Sequence, residues 1–336
     1  MKIVYVLESL ELGGGVKVLI EHAEGLAARG HDVAIVTRDA RHPWIDVSVP
    51  VHEVAAFDEA TLPEADVHVA TWFPTVVPVV RARRARKVFH FSQGYELPHP
   101  HLADRRGEIE EAYRQPIPKL VISAHLAEEL RGYPGPFHVI SQAIPWNDFA
   151  PPDPERRVRR VPAAIGIVGP YESELKGIRH GLEAVALLRS EGRDVRLFRA
   201  TSLPTPEEEG RILAADEYRA RVPAAEMPAF YHRLDLLLFT SFDAEGSPLP
   251  PLEAMAAGVP VVLTDIPSFR TVPEGAVSRV PPGDARAMAC EAARLLDEPA
   301  LWAERRARGL EAARAFSIER ALDELERIFR ESQKTS

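Results

Sequence analysis

The feature that most constrains this chain is the order of its opening segments: a β-branched run, a glycine cluster, a helical stretch and a second β-branched run. Lys2 to Leu7 is short and apolar enough for a buried strand, and Gly13, Gly14 and Gly15 form the loop after it. From Val16 to Arg29 the apolar residues Val18, Leu19, Ala23, Leu26 and Ala27 recur at helical spacing, with Gly30 as the stop. His31 to Thr37 is then a second strand. Strand, helix, strand in that order is a βαβ unit, whose strands run parallel and whose sheet takes ligands beyond its carboxyl edge.

The alternation continues through Val67–Thr71, Lys87–Ser92, Lys119–Ser123 with a helix from Ala124 to Arg131, and His138–Ile140. Pro145 to Pro162 carries Pro151, Pro152, Pro154 and several arginines, and reads as a linker. A second series follows: Ala164–Gly169, a helix from Gly177 to Ser190, then Val195–Phe198, Leu234–Thr240 and Val259–Thr264. Helices rich in Ala, Arg, Glu and Leu fill Asp284–Phe316 and Ile318–Gln333. At 336 residues there is room for two domains with separate cores. The expected fold class is α/β: two Rossmann-like, doubly wound parallel sheets, residues 1–150 and 156–316.

Apolar residues make up 46% and charged residues 27%, which fits a packed enzyme and excludes extended disorder. The net charge of −9 repels a phosphate backbone, so nucleic acid is not an expected partner. The run Arg81–Lys87 is locally basic and admits two readings, peripheral contact with anionic headgroups or a solvated helix face. Cys290 is the only cysteine, so no intramolecular disulfide can form, which suits a reducing compartment. The first apolar run is too short for a signal sequence and no later run reaches the roughly 18 to 20 apolar residues of a membrane span. The expected location is the cytoplasm, with or without peripheral attachment to a membrane.

The densest chemistry lies between Glu245 and Val262. Glu245 precedes a Pro-rich turn and Glu253 opens a short helix that Gly258 ends, so two carboxylates can be held on one side of a site. A carboxylate accepts two hydrogen bonds from a sugar or ribose diol, and amides at a helix start favour phosphate. This segment resembles the retaining GT-B glycosyltransferases, in particular glycosyltransferase family 4 (group 1 type). The family's E-x7-E matches Glu245 and Glu253, and its E-A-M-A-x-G-x-P-V-V matches Glu253 to Val262. The resemblance implies two Rossmann-like domains facing a central cleft, transfer from a nucleoside diphosphate sugar to an acceptor hydroxyl, and retention of the anomer. It also implies that the second domain holds the donor and the first the acceptor, and that residues 317–336 cross back onto the first domain. Glu245, with the amides of Gly246 and Ser247, would face the donor sugar, and Glu253 the ribose.

Other stretches follow the same pattern. Gly13–Gly15 with Gly30-His31-Asp32-Val33 resembles the family's opening glycine loop and strand entry, which would bring Gly14 and Gly15 to the donor diphosphate. Gly169 to Gly177 resembles the G-R-x(n)-K-G loop that neutralises the diphosphate; Lys176 is kept, but Pro170 stands where the family has Arg. A guanidinium fork is thereby lost, with Arg179 or Lys17 as substitutes or catalysis weakened. Lys176 and Glu245 are the expected catalytic residues. On the acceptor side, Gln93 replaces a His common in the family, and Gln93, Tyr95 and Glu96 form a Q-x-Y-E pattern similar to a bacterial branch that includes rhamnosyltransferases. Ser123 resembles the family's S-x-x-L helix start and would be an N-cap first.

His90, His99 and His101 lack a matching Cys or Asp set at ligand spacing, and no Asp-x-Asp pair occurs. No metal and no other cofactor is therefore expected, the sugar nucleotide being a co-substrate. A dinucleotide-dependent oxidoreductase is disfavoured because Val18 fills the last glycine position of G-x-G-x-x-G. A sugar-nucleotide epimerase on the same fold, or a catalytically weak nucleotide-sugar-binding scaffold, remain the alternatives.

Overall fold

The computed structural model describes residues 1–41, 44–153, 155, 159–204, 206–242 and 249–334. The chain divides into two compact units, Met1–Ala143 with Ile318–Ser336, and Ile144–Ser317. Each is built on one sheet whose strands all pair in parallel.

The first unit contains β1 (Lys2–Leu7), β2 (Asp32–Thr37), β3 (Val51–Glu53), β4 (Ala65–Ala70), β5 (Ala85–Ser92), β6 (Lys119–Val121) and β7 (Phe137–Val139). Their order is β3-β2-β1-β4-β5-β6-β7, so the winding reverses between β1 and β4. Ile3, Val4, Tyr5 and Val6 have no exposed surface, as a strand covered on both faces requires. The helix Gly14–Ala28 buries Leu19, Ile20, Ala23 and Leu26 in the unit's core, and Val18 is buried as well.

The helix Ile318–Lys334 completes this unit by burying Leu322, Leu325, Ile328 and Phe329. Phe329 and Phe89 meet with ring centroids 5.1 Å apart. Polar contacts set its register: Arg29 Nη1 donates to Asp323 at 2.7 Å, and the Ser141 amide donates to Glu324 at 3.1 Å. Each buried aliphatic side chain contributes roughly 1.5–3 kcal/mol, so this apolar stripe outweighs the exposed ion pairs beside it.

The second unit contains β8 (Ala163–Val168), β9 (Val195–Thr201), β10 (Glu217–Ala220), β11 (Leu236–Phe239), β12 (Val261–Thr264) and β13 (Ser278–Val280), in the order β10-β9-β8-β11-β12-β13. Its winding reverses between β8 and β11. The stretch Asp284–Phe316 forms two helices, Ala285–Asp297 and Pro299–Ala313, because Pro299 cannot continue the first and suits the opening turn of the second.

The boundary between the units falls after Ala143 rather than at residue 150. The segment expected as a linker is anchored to the second unit. It holds a short helix, Trp146–Phe149; the Ile144 amide donates to Phe316 O at 2.9 Å, Arg306 Nη2 to Asp153 O at 2.5 Å, and the Arg314 guanidinium lies 5.6 Å from the Trp146 ring. Among the described residues no helix is long and apolar enough to cross a membrane. The basic run is largely paired: Arg81 with Glu111 at 2.8 Å, Arg84 with Glu64 at 3.0 Å and Arg86 with Asp66 at 3.7 Å. Ala85–Lys87 belong to β5, so only Arg81 and Ala82 of this run lie on a helix.

Candidate functional site

In the second unit the two strands flanking the reversal, β8 and β11, lead into the two segments singled out by sequence. An open parallel sheet offers its ligand crevice at this point, because neighbouring loops leave in opposite directions. β8 runs into Gly169–Gly177, and β11 runs through Thr240–Phe242 toward the Glu245 segment. Glu245, Gly246 and Ser247 lie outside the described residues.

The two strand exits are stitched together. Thr240 Oγ1 donates to the Lys176 carbonyl at 2.6 Å, and the Phe242 amide donates to Leu175 O at 2.8 Å. Gly177 has φ +57°, and a Cβ there would collide with the Thr240 carbonyl, so glycine is required on both conformational and steric grounds. Lys176 is half-buried in this corner. Arg179, one expected substitute for the missing arginine, is paired with Glu183 at 2.9 Å, and Lys17, the other, with Glu21 at 3.3 Å.

Glu253 sits in the helix Leu249–Ala256 between β11 and β12 and is only 5% exposed. Tyr231 Oη donates to Glu253 Oε2 at 2.9 Å. Tyr231 is wholly buried, and burial, then the Glu253 carboxylate, push its phenol well above the ordinary tyrosine value. It therefore stays protonated and donates to the carboxylate. The helix ends as expected at Gly258, whose amide bonds Met255 O at 3.0 Å while Val259 bonds Ala254 O at 2.8 Å, the paired hydrogen bonds of a Schellman stop.

In the first unit, Gly14 and Gly15 are not loop residues. They form the first turn of the helix Gly14–Ala28, with Gly13 extended as its N-cap. Sequence reasoning placed the helix start two residues late because glycine is a poor helix former, whereas helix N-termini leave amide donors unsatisfied. Gln93 Nε2 donates to Gly15 O at 3.1 Å, which joins the loop after β5 to that helix start. Tyr95 and Tyr133 share a hydroxyl hydrogen bond of 2.7 Å, and Tyr113 Oη donates to Glu96 Oε2 at 2.7 Å. Burial pushes the Glu96 carboxyl up to about 7, the Tyr113 hydrogen bond acting in the opposite direction. Gln93, Tyr95 and Glu96 are thus gathered in one loop beside the glycine-bearing turn.

His90 is fully buried, and neither ring nitrogen has a hydrogen-bond partner among the described residues. Burial, aided by Lys119, lowers its pKa to about 3, so it is a neutral core residue. The rings of His99 and His101 lie 5.6 Å apart. Among the described residues no group of three or more His, Cys, Asp or Glu is placed to hold a metal ion. Ser123 caps the helix Ala124–Glu129, accepting from the Leu126 amide at 3.1 Å. Sequence reasoning missed Tyr231 and the buried pair Arg199–Glu209 beneath the Lys176 loop, since each depends on a contact between elements distant in sequence.

Solved structures with this architecture align over the whole chain. Sucrose-phosphate synthase from Thermosynechococcus elongatus superposes with a TM-score of 0.81 at 19% identity, covering 100% of both chains. The fold is GT-B. A second GT-B structure, Anabaena HepE in complex with UDP and glucose, matches with a TM-score of 0.79 at 16% identity, over 98% of this chain and 100% of that one. Residues 162–298 match the sequence profile of the family described as "Glycosyl transferases group 1". In sequence, the chain is 31% identical to the MMP alpha-(1->4)-mannosyltransferase of Mycolicibacterium hassiacum over 206 residues, 57% of this chain and 48% of that protein. The chain spans about half the length of that curated relative.

Proposed function

We propose that this GT-B protein transfers a glycosyl group from a nucleoside diphosphate sugar to an acceptor hydroxyl, with retention of the anomer and without a metal. The observation that carries the reading is the junction of β8 and β11. There the lysine-bearing loop is bonded to the strand that leads to the carboxylate segment, within the span that matches group 1 glycosyl transferases.

In this reading Lys176 supplies positive charge to the diphosphate, which becomes the leaving group, and the amides of Gly14 and Gly15 add donors to it. Glu253, anchored by Tyr231, takes the ribose hydroxyls through its carboxylate. Glu245 faces the donor sugar with the amides of Gly246 and Ser247. Gln93, Tyr95 and Glu96 serve the acceptor, which is a sugar, glycolipid or small molecule. HepE, whose structure holds UDP and glucose, and the mannosyltransferase relative support a hexosyl donor, and the Gln93, Tyr95, Glu96 pattern leaves a deoxyhexosyl donor as the alternative. Positioning and charge stabilisation carry the rate, since the leaving phosphate itself can take the acceptor proton. The proposed place of action is the cytoplasm, with or without peripheral attachment to a membrane.

Calorimetric titration with UDP, GDP, ADP and dTDP, in wild type and in Lys176→Ala and Glu253→Ala, tests this assignment. One nucleotide should bind, with affinity reduced about tenfold or more in each variant. Equal affinity in wild type and both variants would remove the two residues from the donor site.

A further inference from the structure

We infer that Arg199 and Glu209 are positioning residues that hold the Gly169–Gly177 loop, and with it Lys176, in place for the nucleotide diphosphate. This rests on the glycosyl-transfer reading above. Arg199 lies in β9 with no exposed surface. Its Nη1 donates to Ile167 O at 2.7 Å, its Nη2 to Gly169 O at 2.9 Å and its Nε to Glu209 Oε1 at 2.6 Å. Ile167 is the penultimate residue of β8 and Gly169 is the first residue of the loop, so two of these three bonds end where strand becomes loop.

The sheet leaves this place in need of support. The pairing of β8 with β11 runs only through Ile165 and Gly166, while the pairing with β9 continues to Val168. The guanidinium reaches two carbonyls beyond the end of the β11 ladder and the Glu209 carboxylate from three separate nitrogens, a fixed planar spacing that an ammonium lacks. At its other end the loop is tied by Thr240 to the Lys176 carbonyl. The loop that carries the lysine is therefore held at both ends.

Stability alone does not account for a charged pair here. A buried ion pair gains little over well-packed apolar side chains of the same volume. Glu209 Oε2 is also buried with no hydrogen-bond partner among the described residues, which adds to the cost of keeping a charge here. A pair of apolar side chains could fill the space but could not hold the Ile167 and Gly169 carbonyls. With Pro170 where an arginine is expected, the loop offers the diphosphate one lysine, so the placement of that lysine matters more.

The test uses the full chain with two substitutions: the double variant Arg199→Met/Glu209→Leu, which keeps volume and removes both charges, and Arg199→Lys, which keeps the charge and loses the fork. Hydrogen exchange of the Gly169–Gly177 amides is read without ligand, and affinity is read for the tightest of UDP, GDP, ADP and dTDP. Exchange in the loop should accelerate about tenfold or more in the double variant while the β12 amides keep their protection. Nucleotide affinity should fall about 10- to 100-fold, with Arg199→Lys intermediate. In a Lys176→Ala background the same substitutions should cost no further affinity. Unchanged loop exchange, or an affinity loss that persists in full without Lys176, overturns the inference. Should the double variant fail to fold, Arg199→Lys decides on the same two scales. If wild type binds no nucleotide, the transfer reading fails, and loop exchange alone decides whether Arg199 holds this loop.

Discussion

Glu253 is a buried carboxylate with a phenol dedicated to it, and that pairing determines what its replacement should do. Glu253→Gln keeps shape and still accepts from Tyr231, so the thermal midpoint should change little while nucleotide affinity falls about tenfold, the worth of a hydrogen bond to a charged group. Tyr231→Phe should instead cost about 1–3 kcal/mol of stability by leaving a buried acceptor short of its donor. Calorimetric titration beside urea denaturation separates the two effects. Glu96 yields a pH prediction. Its carboxyl, at about 7, lies above the free value, so between roughly pH 4.5 and 7 the native state holds a proton that the unfolded chain has released. Its contribution to stability is complete below that window and is lost as pH rises through 7. Subtracting the pH–stability curve of Glu96→Gln from that of wild type should leave this slope. A flat difference between pH 5 and 8 would refute the shift. Lys176 and Glu253 were legible in the sequence because they stand in a local motif. Tyr231 and Arg199 were not, because a tyrosine or arginine in a strand or helix carries no local sign of a partner brought close only by folding.

At the scale of elements, what could be read was what local chemistry dictates. The buried strands β1, β8 and β11 are continuous apolar runs, and the stop at Gly258 is a hydrogen-bonding pattern that glycine satisfies. The edge strands β3, β10 and β13 were missed, since Val51-His52-Glu53, Glu217–Ala220 and Ser278–Val280 are short and polar, and their strand character comes from a neighbour's free edge rather than from their own composition. The helix Ile318–Lys334 was readable as amphipathic, but its seat depends on a single close approach: a Cβ at Gly25 would collide with the Leu322 side chain. Gly25→Ala should destabilise by about 1–3 kcal/mol through overpacking, and Leu322→Ala in the same chain should recover part of that loss, a non-additivity that urea denaturation of the two single variants and the double variant measures.

The whole molecule is two α/β units, and the histidines with lowered pKa values all lie in the first. In the first unit burial lowers His22 to about 4 and His90 to about 3, and it also lowers His68 and His138. Below about pH 6.5 the unfolded chain binds protons that these buried rings do not, so the stability they lend is present above that value and is lost as pH falls toward 4 and 3. Glu96 opposes this with a single group. Calorimetry should therefore show the first unit losing more stability than the second between pH 7 and 5, with its transition identified by the shift that Leu325→Ala causes. Equal shifts in both transitions would contradict the burial of these rings. Tandem α/β organisation was legible from the repeated strand–helix order. The boundary at Ala143 was not, because the Pro-rich segment after it is held by Arg306 and Arg314 from more than 150 residues away.

The most direct test of glycosyl transfer is turnover of a panel of UDP-, GDP-, ADP- and dTDP-sugars by the full chain, with and without EDTA, followed as release of nucleoside diphosphate. One donor should be consumed, indifferent to EDTA and slowed about a hundredfold or more in Lys176→Ala, where charge on the leaving diphosphate is no longer met. Absence of turnover with every donor, or turnover abolished by EDTA, would contradict the proposed reaction.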